Sequence, residues 1–507
     1  MISQAWQESL TGRLAIGLVR SCRNSACYRW IGGTARYGRL TAVRNSLFAR
    51  LLSSVASLAA RPLELAGQAV RRALPGSFLL NIKPKPVFSN SVFLKSLAGI
   101  RAETLLWVIF SYILVDYTVR NTPALAFLSG NWDELLLILV ALAWPAQMAL
   151  RGRLTYRLTP MDLPILLYLA MACFLFLVRS PQNYIAIEGL RVYVEYILWF
   201  FAATNLLLNK RQARALVNWL VILSALVALH GVYQYIIGVQ IPSTWLDATE
   251  GGVRTRVFSI LTSPNVLGSY LVLVIPITVS QILSAPSRLL RYFYSLCLIP
   301  MALSLIFTYS RGAWLALAGA FVIYGLIYNW RILLGLAAVV YGAPKLIPGI
   351  SSRIGYMFSP AYLLSSARAG RVARWNTAID KVQANPLFGE GFGRYGGAVA
   401  ARYIPTSNYV DNFYLKTAAE SGLIGLAALV LLLVSGVRCI LNSYRRLTDP
   451  YLKGLAGGLI AGLIGVLLHN GVENIFEVPA MTSYFWLLLG MTTVLPDLEG
   501  QDSPPLE

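Results

Sequence analysis

Acidic side chains and histidine are scarce in this sequence. Asp and Glu contribute 22 of the 507 residues, His contributes two, and charged residues together make up 13%. A soluble domain usually contains about 25% charged residues. Because 57% of the residues are hydrophobic, the composition excludes an ordinary soluble domain. It indicates a polytopic membrane protein, with about a dozen apolar stretches of the roughly 20 residues that one span requires.

Cysteine is also rare, and its five positions do not form a pattern. Cys173 and Cys297 lie within apolar runs, Cys439 lies at the end of another, and Cys22 and Cys27 have neither zinc-site spacing nor a nearby His. We interpret all five as structural. No carboxylate cluster has metal-ligand spacing either, so the sequence predicts neither a bound metal nor a cofactor.

The N-terminal region, residues 1–100, contains no apolar run long enough to span a membrane and no secretory signal. Residues 1–101 hold 15 Lys and Arg against Glu8 and Glu64, which gives 13 of the chain's net charge of +21. This skew favours a cytoplasmic tail facing anionic lipids rather than a nucleic-acid partner. Apolar residues at helical spacing from Val43 to Leu58 predict an amphipathic helix on the membrane surface. A weakly ordered basic tail is the alternative.

The remaining apolar runs predict an all-α bundle of about twelve spans. The runs are 104–121, 134–150, 162–178, 190–208, 215–237, 264–285, 290–308, 312–330, 331–348, 422–440, 454–470 and 480–496. Lys and Arg concentrate in alternate loops, and this asymmetry predicts cytoplasmic termini. Spans 1–9 would then fill residues 101–350, spans 10–12 would fill residues 422–496, and residues 497–507 would form a cytoplasmic tail.

Between the ninth and tenth spans lies the only long polar stretch that separates two spans, residues 351–421, which the charge pattern places outside the cytoplasm. A helix is predicted over Arg371–Gln383, with Asn385-Pro386 ending it. The glycines of 391–396 match a dinucleotide-binding spacing but follow no strand, so a compact turn is the better interpretation. We expect the functional site in this loop.

Five stretches in a fixed order resemble the O-antigen ligase and polysaccharide polymerase superfamily of bacterial membrane proteins. They are LHGVYQYIIGVQIP (229–242), RTRVFSILTSPNVLGSYLVLVIP (254–276), TYSRGAWLAL (308–317), GRVARWNTAIDKVQANPLFGEGFGRY (370–395) and VDNFYLKTAAESGLIG (410–425). The resemblance covers roughly residues 190–490. It implies about twelve spans with a large, partly helical extracytoplasmic loop between spans nine and ten. It also implies transfer of glycan from a polyprenyl (undecaprenyl) diphosphate carrier to an acceptor sugar hydroxyl, on the outer face of the bacterial inner membrane.

The resemblance further implies that arginines grip the diphosphate. Arg256 and Arg311 stand at the matching places, and Arg254 is close enough in sequence to replace Arg256. A guanidinium presents a planar set of donors that suits phosphate oxygens. Anchoring of a helix end to lipid headgroups is the alternative role for such arginines.

Asp411 is the predicted base. Ligases of the family carry His-Asn followed by two glycines, and Asn412, Gly422 and Gly425 keep this spacing here, whereas Asp411 replaces the His. A carboxylate can also accept the hydroxyl proton. The change leaves ligase and polymerase both open. Alternatively, Asp411 and Asn412 cap the helix that begins there.

Further candidates surround this pair. Glu473 is expected to orient the base or bind acceptor sugar, and Tyr409 to line a glycan path. Arg371 and Trp375 share one helix face and either bind phosphate and sugar or pin the loop. His469, near the predicted outer membrane edge, is either a supporting site residue or a packing residue.

A membrane transporter, of a small anion such as bicarbonate or of a lipid-linked glycan, is the rival function. It predicts ionisable residues deep within the spans, and the sequence has few, since Glu195 and Asp162 lie near span ends. We therefore expect a metal-independent membrane glycosyltransferase of cell-envelope polysaccharide biosynthesis. Its expected partners are a polyprenyl-diphosphate-linked glycan, an acceptor glycan or glycolipid, and membrane lipids, without nucleic acid.

Overall fold

The computed structural model describes residues 102–151, 156–242, 245, 255–346, 348–357, 359–368 and 370–499. These residues are predominantly helical, and no strand occurs among them. The basic region 1–100 with its expected amphipathic helix, Arg254, and the tail beyond residue 499 lie outside the described residues.

Eighteen α-helices occur in the described part of the chain. They are α1 (Ala102–Phe110), α2 (Tyr112–Asn121), α3 (Trp132–Arg151), α4 (Asp162–Val178), α5 (Asn183–Val194), α6 (Trp199–Leu206), α7 (Lys210–Ile237), α8 (Pro264–Leu283), α9 (Arg288–Phe307), α10 (Arg311–Ile327), α11 (Arg331–Leu346), α12 (Pro348–Met357), α13 (Pro360–Arg368), α14 (Arg371–Ala384), α15 (Ala398–Tyr403), α16 (Phe413–Arg446), α17 (Pro450–His469) and α18 (Pro479–Leu498).

Five of these helices, α7, α8, α9, α16 and α17, are long and apolar enough to cross a membrane. The shorter helices α4 and α10 are also apolar. The described part of the chain therefore has the all-helical architecture of a membrane protein, as the sequence predicts. The count of twelve spans and the side on which the loop lies stay predictions.

Two predicted spans are not single helices. The run 104–121 breaks at Ser111, whose hydroxyl donates to the Trp107 carbonyl and accepts from the Trp219 indole N–H, each at 2.8 Å. The run 190–208 passes from α5 through a 3-10 turn, Glu195–Leu198, into α6. Hydropathy reports how apolar a stretch is and does not report backbone breaks, so it merges these pieces.

The core centres on α8, which is buried along most of its length and packs against α17. Small residues make this contact close. A Cβ on Gly458 would lie 2.6 Å from the Ser280 Cβ and 2.7 Å from the Pro276 carbonyl oxygen. The small-residue spacing of Gly454, Gly458 and Gly462 therefore serves helix packing.

Helix α16 is kinked at Gly422, where φ is 68° and ψ is −175°. The kink frees backbone groups that the preceding loop satisfies: the Leu423 N–H donates to the Pro386 carbonyl at 2.8 Å, and the Glu390 N–H to the Ala419 carbonyl at 2.9 Å. A Cβ on Gly422 would lie 2.5 Å from the Phe388 nitrogen. The loop after α14 is thus fastened to the first turns of α16.

Candidate active site

The predicted site residues and the side chains that contact them come from separate segments that meet at the start of α16. Asn265 is the second residue of α8, and Ser263 fixes this helix start because its side chain accepts from the Val266 N–H at 3.2 Å. Glu473 follows α17, and Arg371 is the first residue of α14.

Glu473 joins two of these segments. Its Oε1 accepts from the Asn265 Nδ2 at 2.6 Å and from the Arg371 Nη2 at 2.5 Å. The Asn265 Oδ1 accepts from the Arg256 Nη2 at 3.0 Å. Arg256 is therefore linked through Asn265 to the carboxylate of Glu473 and on to Arg371.

Asp411 continues the same series of contacts. Its Oδ2 accepts from the Arg374 Nη1 at 2.7 Å and lies 3.7 Å from the Arg371 Nε. We call the whole series the polar relay. It runs in the order Arg256, Asn265, Glu473, Arg371, Asp411 and Arg374, so that each pair of successive arginines is separated by carboxylate or amide side chains.

The backbone separates the roles of Asp411 and Asn412. The Asn412 Oδ1 accepts from the N–H groups of Tyr414 and Leu415, each at 3.0 Å, so Asn412 is the cap of α16. Asp411 has φ of 54°, a left-handed conformation that Asp adopts more readily than most residues. In this conformation the Asp411 carboxylate contacts Arg374 and Arg371. Asn412, and not Asp411, is therefore the cap of the helix.

Burial raises the pKa of the Glu473 carboxyl to about 7, although Arg371 opposes the shift. A group with this pKa exchanges its proton near neutral pH. Burial lowers the pKa of Arg371, but Glu473 and Asp411 raise it more, and the net pKa is raised. Arg371 therefore stays cationic throughout the pH range in which Glu473 titrates.

Arg256 is buried and held firmly by protein acceptors. Besides Asn265, its Nε donates to the Thr308 carbonyl at 2.9 Å and its Nη1 to the Trp245 carbonyl at 2.8 Å. Thr308 belongs to the turn between α9 and α10. Arg256 is thus a fixed positive charge that connects the segment before α8 to this turn.

Arg311 begins α10, and its guanidinium carbon lies 4.7 Å from the ring centre of Tyr362 and 5.8 Å from that of Tyr356. Arg353, from the same loop, donates from its Nη2 to the Tyr309 carbonyl at 2.7 Å. Residues of α12 and α13 therefore close over the start of α10. Sequence reasoning missed Arg353, because it lies outside the stretches that carry the resemblance.

The other predicted residues occupy different surroundings. His469 is fully buried, and its ring nitrogens have no hydrogen-bond partner among the described residues. A Cβ on Gly312 would lie 3.1 Å from the His469 Nε2. This packing does not favour a contact between His469 and an acceptor sugar. Trp375 is half-buried against the small cluster of Ala378, Tyr395, Val410 and Ala419, whereas Tyr409 is exposed.

A buried ionic cluster of Lys416, Glu420, Glu477 and Tyr193 also fastens the loop. The Lys416 Nζ lies 2.7 Å from the Glu420 Oε2 and 3.1 Å from the Glu477 Oε1, and it donates to the Tyr193 hydroxyl at 3.0 Å. The two carboxylates also accept from backbone N–H groups of residues 395 and 398. Glu477, four residues after Glu473, belongs to this cluster and not to the polar relay.

Residues 296–430 match the family model described as O-antigen ligase. The matched segment contains Arg311, Arg371, Arg374, Asp411 and Gly422. The match confirms the resemblance to the O-antigen ligase and polymerase superfamily, and with the apolar helices it supports a function in bacterial glycan assembly at a membrane. None of the curated proteins compared matches the chain.

Proposed function

We propose that this membrane protein of the O-antigen ligase and polymerase type transfers glycan from a polyprenyl-diphosphate carrier to an acceptor sugar hydroxyl on the extracytoplasmic face. The observation that carries the proposal is the polar relay. It brings Arg256 from before α8, Arg371 from α14, Asp411 from before α16 and Glu473 from after α17 into one series of contacts.

Breaking the bond between a sugar and its diphosphate requires stabilisation of the negative charge that develops on the leaving group. Arg256 and Arg311 would supply it, with Arg254 as the third candidate. Arg256 is already oriented by three protein acceptors, so little reorganisation is needed when charge develops. No group of three His, Cys, Asp or Glu side chains that could hold a metal ion occurs in the described segments. Metal independence is part of the proposal and needs its own test.

Asp411 would accept the proton from the acceptor hydroxyl. The hydroxyl oxygen then forms a bond to the anomeric carbon, and the bond from that carbon to the diphosphate oxygen breaks. The diphosphate leaves with the electron pair. Arg374 and Arg371 orient the Asp411 carboxylate, and Asn412, as a positioning residue, fixes the helix start beside it.

Ionisation of the Glu473 carboxyl would set the net charge of the polar relay. Glu473 contacts Arg371 and is linked through Asn265 to Arg256, so its ionisation affects both the base side and the diphosphate side. No observation favours the transporter: Lys416 and Glu420, the buried ionic pair in the first turns of α16, are engaged with each other and with Glu477.

The test is glycan transfer by the purified full-length chain in lipid, with a polyprenyl-diphosphate oligosaccharide and EDTA present. Wild type should lengthen the glycan, and Asp411→Asn should lose at least about a hundredfold in rate, the lower end of what a general base contributes. Asp380→Asn is the matched control, because Asp380 is exposed on α14, and it should keep the wild-type rate.

Three results would contradict parts of the proposal. Equal rates for wild type and Asp411→Asn would exclude Asp411 as the base. Activity that EDTA removes would exclude the metal-independent mechanism. An absence of transfer to all acceptors tested, together with uptake of solute into vesicles, would instead support the transporter.

A further inference from the structure

A cavity of about 730 Å³ lies beside α14 and is lined by basic side chains. Roughly 300–1,000 Å³ is the usual size of a small-molecule site. The basic residues of its wall are Arg179, Arg368, Arg374, Lys381 and Arg394, and Glu390 is its one acidic residue.

Most of the positive charge in this cavity is not neutralised. Lys381 pairs with Glu390 at 2.8 Å. By contrast, the Arg179 Nη2 donates to the amide oxygen of Asn385 at 3.3 Å, and the Arg394 Nη1 donates to that of Gln182 at 2.8 Å. Within the described ranges, no carboxylate forms an ion pair with Arg179, Arg368 or Arg394.

The cavity adjoins the predicted base. Arg374 lines the cavity and also donates to Asp411 at 2.7 Å. On the same helix, Arg371 faces Glu473. Asp411 therefore lies between the cavity and the part of the polar relay that leads to Arg256, where the leaving diphosphate is proposed to bind.

The rest of the wall suits a saccharide. Thr406, Ser407, Asn408 and Tyr395 contribute hydroxyl, amide and aromatic groups. Such groups can hydrogen-bond sugar hydroxyls and stack on a sugar ring. A diphosphate alone would fill little of this volume, whereas an oligosaccharide with acidic groups uses both the space and the charge.

We propose that this cavity binds an acidic saccharide, with carboxylates facing Arg179, Arg368 and Arg394. In the reaction proposed above, on which this assignment to a substrate rests, the saccharide is the acceptor glycan. Its hydroxyl is then presented to Asp411 from the side opposite the diphosphate. The acceptor is thereby predicted to be an anionic polysaccharide chain rather than a neutral one.

The test is a binding titration with the full-length chain in detergent. The probes are a tetrasaccharide of galacturonic acid and its methyl ester, which has the same length but no charge. The acidic probe should bind at least about tenfold more tightly than the ester, and Arg394→Gln should weaken its binding by about tenfold, as expected for one charge-assisted hydrogen bond. Arg179→Gln combined with Arg394→Gln should weaken it further.

Arg402→Gln is the matched control, because Arg402 lies on α15, pairs with Glu188 at 3.0 Å and does not line the cavity. It should bind the acidic probe like wild type. Equal binding of probe and ester, or unchanged binding in Arg394→Gln, would overturn the proposal. So would Arg394-dependent binding of inorganic diphosphate without binding of the acidic probe, since the cavity would then serve the donor.

Transfer activity is measured separately on the wild-type chain. Arg394-dependent binding of the acidic probe by a chain that transfers no glycan would keep the saccharide site and remove the proposed reaction. Transfer without such binding would keep the reaction and remove the site. Melting temperatures of all variants should stay near wild type, because these arginines contact solvent-accessible groups.

Discussion

At the scale of single residues, we expect Glu473 to control how the site responds to pH. Its pKa is raised to about 7 by burial, so the carboxylate that pairs with Arg371 exists mainly above this pH. We expect the transfer rate to rise with pH through about 7, because the ion pair orients Arg371 toward Asp411. Rates measured across this range should show the inflection in wild type and lack it in Glu473→Gln.

Glu188→Gln is the control for this pH profile, since Glu188 pairs with Arg402 away from the polar relay. It should keep the inflection. An inflection near pH 7 that persists in Glu473→Gln would assign the titration to another group.

Substitutions of Arg311 test the proposed diphosphate site. Arg311→Ala should weaken binding of a polyprenyl diphosphate by about tenfold or more, because it removes a charge-assisted contact. Arg311→Lys should fall between Arg311→Ala and wild type, since it keeps the charge but loses the planar donor set. Arg288→Ala is the matched control, because Arg288 also begins a helix, α9. Equal donor affinity in Arg311→Ala and wild type would remove Arg311 from the site.

Several residues of the polar relay are predictable from the sequence, and others are not. Asp411, Arg371, Glu473 and Arg256 follow from the resemblance and from the chemistry that it implies. Arg374 lies three residues after Arg371, a spacing that places both on neighbouring positions of a helix. Asn265 gives no such signal, because only the tertiary fold brings the start of α8 to Glu473.

At the scale of elements, the kink in α16 determines how the loop is held. Gly422→Ala would place a Cβ 2.5 Å from the Phe388 nitrogen and a side chain at φ of 68° and ψ of −175°, a backbone conformation that alone costs about 1–3 kcal/mol. We expect the loop to detach locally and the transfer rate to fall. Hydrogen exchange at the Glu390 and Leu423 amides, which cross-link loop and helix, should become faster.

The control for the kink is Gly335→Ala on α11, where nothing lies within 4 Å of an added Cβ. It should leave exchange at Glu390 and Leu423 unchanged. Wild-type exchange in Gly422→Ala would show that the loop is not held by the kink.

Helix boundaries were predictable where local chemistry marks them. The predicted helix Arg371–Gln383 is observed as Arg371–Ala384, because Asn385 and Pro386 end it. The apolar run alone begins at residue 422, whereas the alternative in which Asp411 and Asn412 cap a helix agrees with the start of α16 at Phe413. The breaks at Ser111 and at Glu195–Leu198 carry no proline and no polar run, so hydropathy gave no sign of them.

At the scale of the whole molecule, the buried cluster around Lys416 joins the loop to the helical bundle. Lys416→Met would leave Glu420 and Glu477 buried without their cation, which costs about 3–5 kcal/mol. We expect a large drop in melting temperature, measured on the purified chain in detergent. Lys381→Met is the matched control, because its pair with Glu390 is partly exposed and such pairs contribute about 1 kcal/mol or less.

Lys416→Met combined with Glu420→Gln should recover part of the lost stability, because one uncompensated charge is removed. A melting temperature in Lys416→Met that equals the Lys381→Met value would mean that the cluster contributes little. The sequence indicated an all-helical membrane protein from apolar content alone. It did not indicate this cluster, because the residue opposite Lys416 and Glu420 comes from the distant segment before α18.

The contact between Arg374 and Asp411 also bears on wasteful hydrolysis. Water is present beside a lipid-linked donor. An exposed and unpaired base would activate this water, and the donor would be hydrolysed without glycan transfer. Here the carboxylate is occupied by an arginine that also belongs to the acceptor cavity. In the proposed reaction, an arriving anionic acceptor would compete for Arg374, which would leave Arg371 to orient the Asp411 carboxylate. Asp411 would then become available as a base when a sugar hydroxyl is there to use it.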